Sequence, residues 1–118
     1  MPTSNELAIV IPAYRTRFLQ AALTSLAAQT DQAFTVYVGD DASPDDVQAL
    51  CAAWADKLDL RYTRFDTNVG GQDLVAQWTR CIALSHEPWV WLFSDDDELE
   101  PGCVQAWREV AHLSLIHI

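Results

Sequence analysis

Four short apolar runs, each followed at once by a polar cluster and then by a helical stripe, constrain this chain more than any other feature. Residues 7–11 (LAIVI) are continuously apolar and end at Pro12, the pattern of a strand buried on both faces. Leu19, Leu23 and Leu26 then recur on one face of a helix that is expected to end near Gln29. Residues 34–38 (FTVYV) are β-branched and aromatic, hence a second strand. Ser43 as cap, Pro44 at the first helical position and Asp45 and Asp46 in the first turn open a second helix, striped by Val47, Leu50, Trp54 and Leu58. Residues 60–65 form a third strand and 89–93 a fourth. Between them lies a helix carrying Leu74, Trp78, Cys81, Ile82 and Ser85, and a last helix carries Val104, Trp107 and Ala111. Strands and helices in strict alternation specify an α/β fold, a Rossmann-like parallel sheet with right-handed helical crossovers.

In such a sheet, ligands bind beyond the carboxyl ends of the strands. The clusters that must gather there are 12–15 (PAYR), 40–43 (DDAS), 66–71 (DTNVGG) and 94–98 (SDDDE). Eight of the 17 acids, namely Asp40, Asp41, Asp45, Asp46, Asp95, Asp96, Asp97 and Glu98, lie in the second and fourth of these regions or, for Asp45 and Asp46, just after the second. Three successive carboxylates repel one another unless they are solvated or hold a cation. The 94–98 loop is therefore either a seat for a hard divalent ion or a solvated turn whose acids cap the last helix. Asp40 and Asp41 either accept hydrogen bonds from a base or ribose, or are turn residues before a capped helix. The Asn68–Gly71 stretch is either a loop through which backbone approaches a phosphate or a simple turn. The tryptophans suit helix–sheet packing, with ligand stacking as the other use.

Charge narrows the function classes. The 118 residues carry 17 acids against 7 Lys and Arg, a net charge of −10. That excludes a nucleic-acid binder working through a basic face, and disfavours attachment to anionic lipid. A phosphate-bearing ligand is repelled as well, unless a metal ion intervenes. Half the residues are apolar, enough for the core of one small domain. The longest apolar stretches, 7–11 and 88–93, are far too short to span a membrane, and no basic segment precedes the first of them, so neither a membrane segment nor a signal peptide is expected. Cys51, Cys81 and Cys103 are widely spaced without a CxxC, as expected of reduced thiols packed on helices in the cytoplasm.

The ordered motifs resemble glycosyltransferase family 2, whose fold is GT-A. They are 8–14 (AIVIPAY), 23–30 (LTSLAAQT), 38–43 (VGDDAS), 68–70 (NVG) and 92–102 (LFSDDDELEPG). The resemblance implies transfer of a sugar from a nucleotide-diphosphate-sugar donor to a glycan or glycoconjugate acceptor, with inversion and with Mg²⁺ or Mn²⁺ as cofactor. By position, it assigns nucleotide-sugar binding to Pro12, Ala13, Tyr14, Asp40, Asp41, Asn68, Gly70, Asp95 and Asp96. Asp40 would support its loop, and Asp96 and Asp97 would be the metal ligands of a DxD-type motif. The chain departs from the family pattern at Arg15, where Asn is common, and at Ser94, which takes the place of the first acid. The spacing after Asn68 also drifts, so nothing is carried onto the third helix.

Residues 113–118 (LSLIHI) resemble the translation of a sequencing adapter. The expected organisation is therefore a donor-binding half of a GT-A domain over 1–112 and non-native read-through over 113–118. No residue is assigned as the general base that would deprotonate the acceptor, so the fragment is expected not to turn donor over. The full-length protein is expected in the cytoplasm, with the inner face of the membrane as its other site. Two other functions fit parts of the pattern: a catalytically silent nucleotide-sugar binder, and a Mg²⁺-binding phospho-acceptor receiver. A receiver wants its acidic pair after the first strand, whereas here the pair follows the second.

Overall fold

The computed structural model describes residues 6–116, with side chains described to residue 111. Strands β1 (Leu7–Ala13), β2 (Phe34–Asp40), β3 (Leu60–Arg64) and β4 (Trp89–Leu92) alternate with helices α1 (Leu19–Ala27), α2 (Val47–Trp54), α3 (Leu74–Ile82) and α4 (Cys103–Ile116). All strand pairs are parallel and the sheet order is β3-β2-β1-β4. The chain thus winds outward from β1 through β2 to β3, then returns to place β4 on the other side of β1. The crevice between the ends of β1 and β4 is the switch point where α/β sheets bind ligands.

Alternation along the central strands divides the interior in two. Leu7, Ile9 and Ile11 of β1 and Val36 and Val38 of β2 pack with α1, α2 and Val104 of α4 in the larger cluster. Ala8, Val10 and Tyr37 face the other way, onto Cys81 of α3. Helices on both faces explain why β1 and β2 are nearly continuously apolar. The α3 face is thinly covered, and Trp78, Ile82, Val90 and Leu92 remain partly exposed on it.

Several boundaries differ from the sequence expectation. β1 runs past Pro12, which pairs in register with Gly39 of β2. The β1–β4 register ends at Val10 and Leu92. Val10 O accepts from Phe93 N on the β4 side and Ala13 O from Asp41 N on the β2 side. By alternation Pro12 presents its nitrogen to the β4 side, past β4's last partner, so its missing N–H breaks no ladder. β2 reaches Asp40, two residues further than expected, and β3 and β4 each stop one residue short. α1 ends at Ala27, ahead of Gln29.

α2 begins three residues later than the Ser43–Pro44 pair suggests. Its cap is Asp46, whose carboxylate accepts from Ala49 N at 3.0 Å, and no acid lies in its first turn. Ser43 is buried and committed elsewhere: its hydroxyl donates to the Tyr14 carbonyl and accepts from Asp45 N. Leu58 falls in the turn after α2 but is still buried. Of the segment expected to be read-through, residues 113–116 continue α4 and 117–118 lie outside the described residues.

Candidate functional site

The β1–β2–β4 strand ends, the loop leading into α3 and α3 itself enclose a cavity of about 590 Å³ at the switch point. Its size falls in the range of small-molecule and cofactor sites. Pro12, Ala13 and Tyr14 line it from β1, and Asp41 from the end of β2. Asn68, Gly70 and Gly71 contribute from the loop before α3, and Leu74, Gln77 and Trp78 from the helix. Leu92, Phe93, Ser94, Asp95 and Asp97 close it from β4.

Each strand end is held by polar contacts that the local sequence makes possible. Ala42 adopts φ 53°, a left-handed conformation that costs a non-glycine residue energy. This turn separates the two neighbouring acids into different networks. Asp40 is fully buried and accepts from Ser43 N at 2.9 Å, Tyr62 OH at 2.5 Å and Arg64 Nη1 at 3.1 Å. Burial, then the hydrogen bond to Asp40, pushes the Tyr62 phenol up to about 12, so it stays a donor. Asp41 receives Val69 N at 2.8 Å and Arg80 Nη2 at 2.7 Å on Oδ1. Its Oδ2 receives Gly70 N at 2.9 Å and Asn68 Nδ2 at 3.1 Å.

Two other carboxylates straddle the β1 loop. Asp95 Oδ2 accepts from Tyr14 N at 3.2 Å and Arg15 N at 3.4 Å, and Asp45 Oδ2 accepts from Thr16 N at 2.9 Å. The descending limb of the acidic loop is tied to α1. Leu99 N donates to Ser25 Oγ at 3.1 Å, Gln29 Nε2 donates to Glu100 O at 2.7 Å, and Gln29 Oε1 accepts from Val104 N at 3.1 Å. Gln29 therefore serves as cap for the first turn of α4 from a buried position, where an unpaired amide would be costly.

The residues singled out from sequence fall into two groups. Pro12, Ala13, Tyr14, Asp41, Asn68, Gly70, Asp95 and Asp97 share the cavity. Asp40 does not line it and lies behind it, in the turn network. Asp96 is also absent from the lining and accepts from Ser94 Oγ at 2.6 Å, while Asp97 accepts from Ser94 N at 3.0 Å. Among the described residues, no three His, Cys, Asp or Glu side chains converge as a metal cage. The acids offer hard oxygen donors beside the cavity, which suits an ion bound by one or two carboxylates together with a ligand's phosphates.

Leu74, Gln77, Trp78, Leu92 and Phe93 were not legible as site residues. Which face of α3 meets the cavity depends on how the helix lies across the sheet, and apolar spacing reports only the stripe. Gln77 is the one position with a signal: a polar residue four before Cys81, buried and donating to its Sγ at 3.2 Å.

Comparison with known proteins gives a consistent picture. The family described as glycosyl transferase family 2 matches residues 8–111. The structure resembles TarS of S. aureus, residues 1–349, in complex with UDP. The TM-score is 0.79 at 22% identity, over 88% of this chain and 31% of that one. The TarS 1–349 complex with UDP-GlcNAc gives 0.78 at 22% identity, over 88% and 30%. The mannosyltransferase PcManGT of Pyrobaculum calidifontis, in complex with GDP-Man and Mn²⁺, gives 0.68 at 16% identity, over 79% and 28%. At these identities the likeness is one of fold, and the chain spans less than a third of the length of each of these structures. No curated protein gives a significant match.

Proposed function

This chain belongs to glycosyl transferase family 2, and from that premise we propose that its switch-point cavity binds a nucleotide-diphosphate-sugar donor for an inverting sugar transfer to a glycan or glycoconjugate. The observation that carries this is the mixed chemistry of the cavity lining. Strand backbone and the Asp41-pinned loop contribute Pro12, Ala13, Tyr14, Asn68 and Gly70, a neutral surface suited to a base and ribose. Ser94, Asp95 and Asp97 contribute a polar and acidic surface, suited to the charged diphosphate only if a cation lies between. Residues 1–112 then constitute a donor-binding unit.

Within that unit, Asp95 has a double position: it lines the cavity and it holds the Tyr14 and Arg15 amides. It thereby keeps the β1 backbone open toward the base. Asp40 supports the turn from behind, through Ser43 N. Asp96 and Asp97 would hold Mg²⁺ or Mn²⁺, which when bound supplies Lewis-acid stabilisation of the departing nucleoside diphosphate. The donor and metal seen with TarS and PcManGT support this assignment. Three free thiols, two of them buried, support a reducing compartment such as the cytoplasm. Among the described residues, no helix is long and apolar enough to cross a membrane.

The test is calorimetric titration of UDP, GDP and their sugar conjugates in the presence of Mn²⁺, with Asp96→Ala and Asp97→Ala alongside. At least one nucleotide is expected to bind, and each variant is expected to lose most of the Mn²⁺-dependent part of the affinity. If none binds, with or without metal, the donor-site assignment is wrong.

A further inference from the structure

Arg80 lies outside the cavity lining, yet its head group is held by several partners at once. Nη2 donates to Asp41 Oδ1 at 2.7 Å and to the Thr67 carbonyl at 2.9 Å, and Nε donates to Gln77 Oε1 at 2.5 Å. The guanidinium carbon stands 3.9 Å from the centre of the Phe65 ring. One side chain of α3 thus joins the end of β2, the loop before α3 and the buried Gln77. An arginine held by a planar stack and several acceptors is pre-organised in a way a lysine cannot reproduce.

Its principal partner is saturated. A carboxylate has about four acceptor positions, and those of Asp41 are taken by Arg80, Val69 N, Gly70 N and Asn68 Nδ2. The Asp41 side chain is 5% exposed, so removing Arg80 would leave a nearly buried charge supported by amides alone. The close approach also accounts for Gly70, where a Cβ would stand 2.6 Å from Asp41 Oδ2.

We propose that Arg80 is a positioning residue for the nucleotide pocket: acting through Asp41, it holds the 68–71 loop in its binding-ready form. The proposal rests on the donor-site assignment above. Pre-organising a loop raises affinity because the ordering cost is met before the ligand arrives.

The test uses the full 118-residue chain, with UDP and GDP in MnCl₂ as probes. Arg80→Met is expected to weaken nucleotide binding about tenfold and to lower the melting temperature, and Arg80→Lys to do less of both. In the ligand-free protein, the Val69 and Gly70 amides should exchange with solvent about tenfold faster in Arg80→Met. In an Asp41→Asn background, Arg80→Met should change affinity by less than about twofold, because the two act as a unit. Unaltered affinity in Arg80→Met, unaltered exchange at Val69 and Gly70, or effects of the two substitutions that simply multiply would each overturn it. If Arg80→Met does not fold, Arg80→Lys carries the same three readouts. Failure of the unaltered chain to bind either probe would refute the donor-site assignment and the nucleotide half of this proposal, and the exchange rates would still decide whether Arg80 holds the loop.

Discussion

At Gly39 a single missing side chain decides how closely α3 can approach the sheet. A Cβ there would stand 2.4 Å from Cys81 Sγ and 3.1 Å from the Phe65 ring. Gly39 is an interior residue of β2, where alanine would ordinarily be favoured by about 0.5–1 kcal/mol. The clash reverses that preference. Gly39→Ala is expected to destabilise the fold by about 1–3 kcal/mol, read from denaturant midpoints. Combining it with Cys81→Ala removes the sulfur and leaves the 3.1 Å approach to the Phe65 ring and an ordinary 3.4 Å contact with the Cys81 Cβ, so the double variant should be more stable than the sum of the two singles. Strict additivity would show that the sulfur is not what excludes a side chain. Burial holds the Cys81 thiol at about 11, so it packs as a neutral group throughout this measurement. None of this is visible in the sequence, where Gly39 is one glycine before two acids. Its requirement arises from a helix forty residues away.

Elements were legible in kind and order because the apolar period changes from continuous to helical four times. Their ends were not, since tertiary contacts compete with local signals. Ser43-Pro44 carries the residue types of a helix start, but Ser43 is drawn onto the Tyr14 carbonyl and Asp45 onto Thr16 N, and Asp46 takes the cap. α4 shows the same dependence on distant partners. Arg108 Nε meets Asp31 Oδ2 at 2.5 Å, and Nη2 donates to the Ala33 carbonyl at 2.7 Å, tying α4 to the segment entering β2. Burial, the largest single influence, raises the Asp31 pKa. The Arg108 hydrogen bond, the Ala33 amide and the Arg108 charge together outweigh it and hold the pKa below its ordinary 3.8. A carboxyl with a lowered folded pKa contributes stability that is present above the unfolded pKa and lost as pH falls through the folded one. Acidification below the ordinary value near 3.8 should therefore loosen α4, seen as faster exchange of its amides. Asp31→Asn should start less stable and lose less over the same pH interval. An identical acid response in both proteins would remove Asp31 as the cause.

At the scale of the whole molecule, charge and topology act on the same place. The sheet order brings the ends of β1, β2 and β4 together, which is why polar clusters spread over more than eighty residues of sequence share one cavity. That convergence was readable once the strands were, because each cluster directly follows a strand. The contribution of α3 was not, since it depends on the helix's placement across the sheet. The molecule carries a net charge of −10, with Asp95 and Asp97 on the cavity wall. In the proposed donor site, a nucleoside diphosphate would therefore approach against repulsion that acts over roughly a Debye length, about 10 Å at 0.1 M salt. Three titrations separate the terms. Uridine, which lacks phosphate, should bind weakly and with little response to salt or Mn²⁺. UDP in EDTA should bind more weakly at low salt than at moderate salt, because screening relieves repulsion, the reverse of the trend for a basic phosphate site. UDP with Mn²⁺ should bind more tightly than in EDTA, with the gain largest at low salt. If UDP in EDTA instead binds more tightly as salt is lowered, Asp95 and Asp97 do not face the diphosphate, and the placement proposed for it in the cavity is wrong.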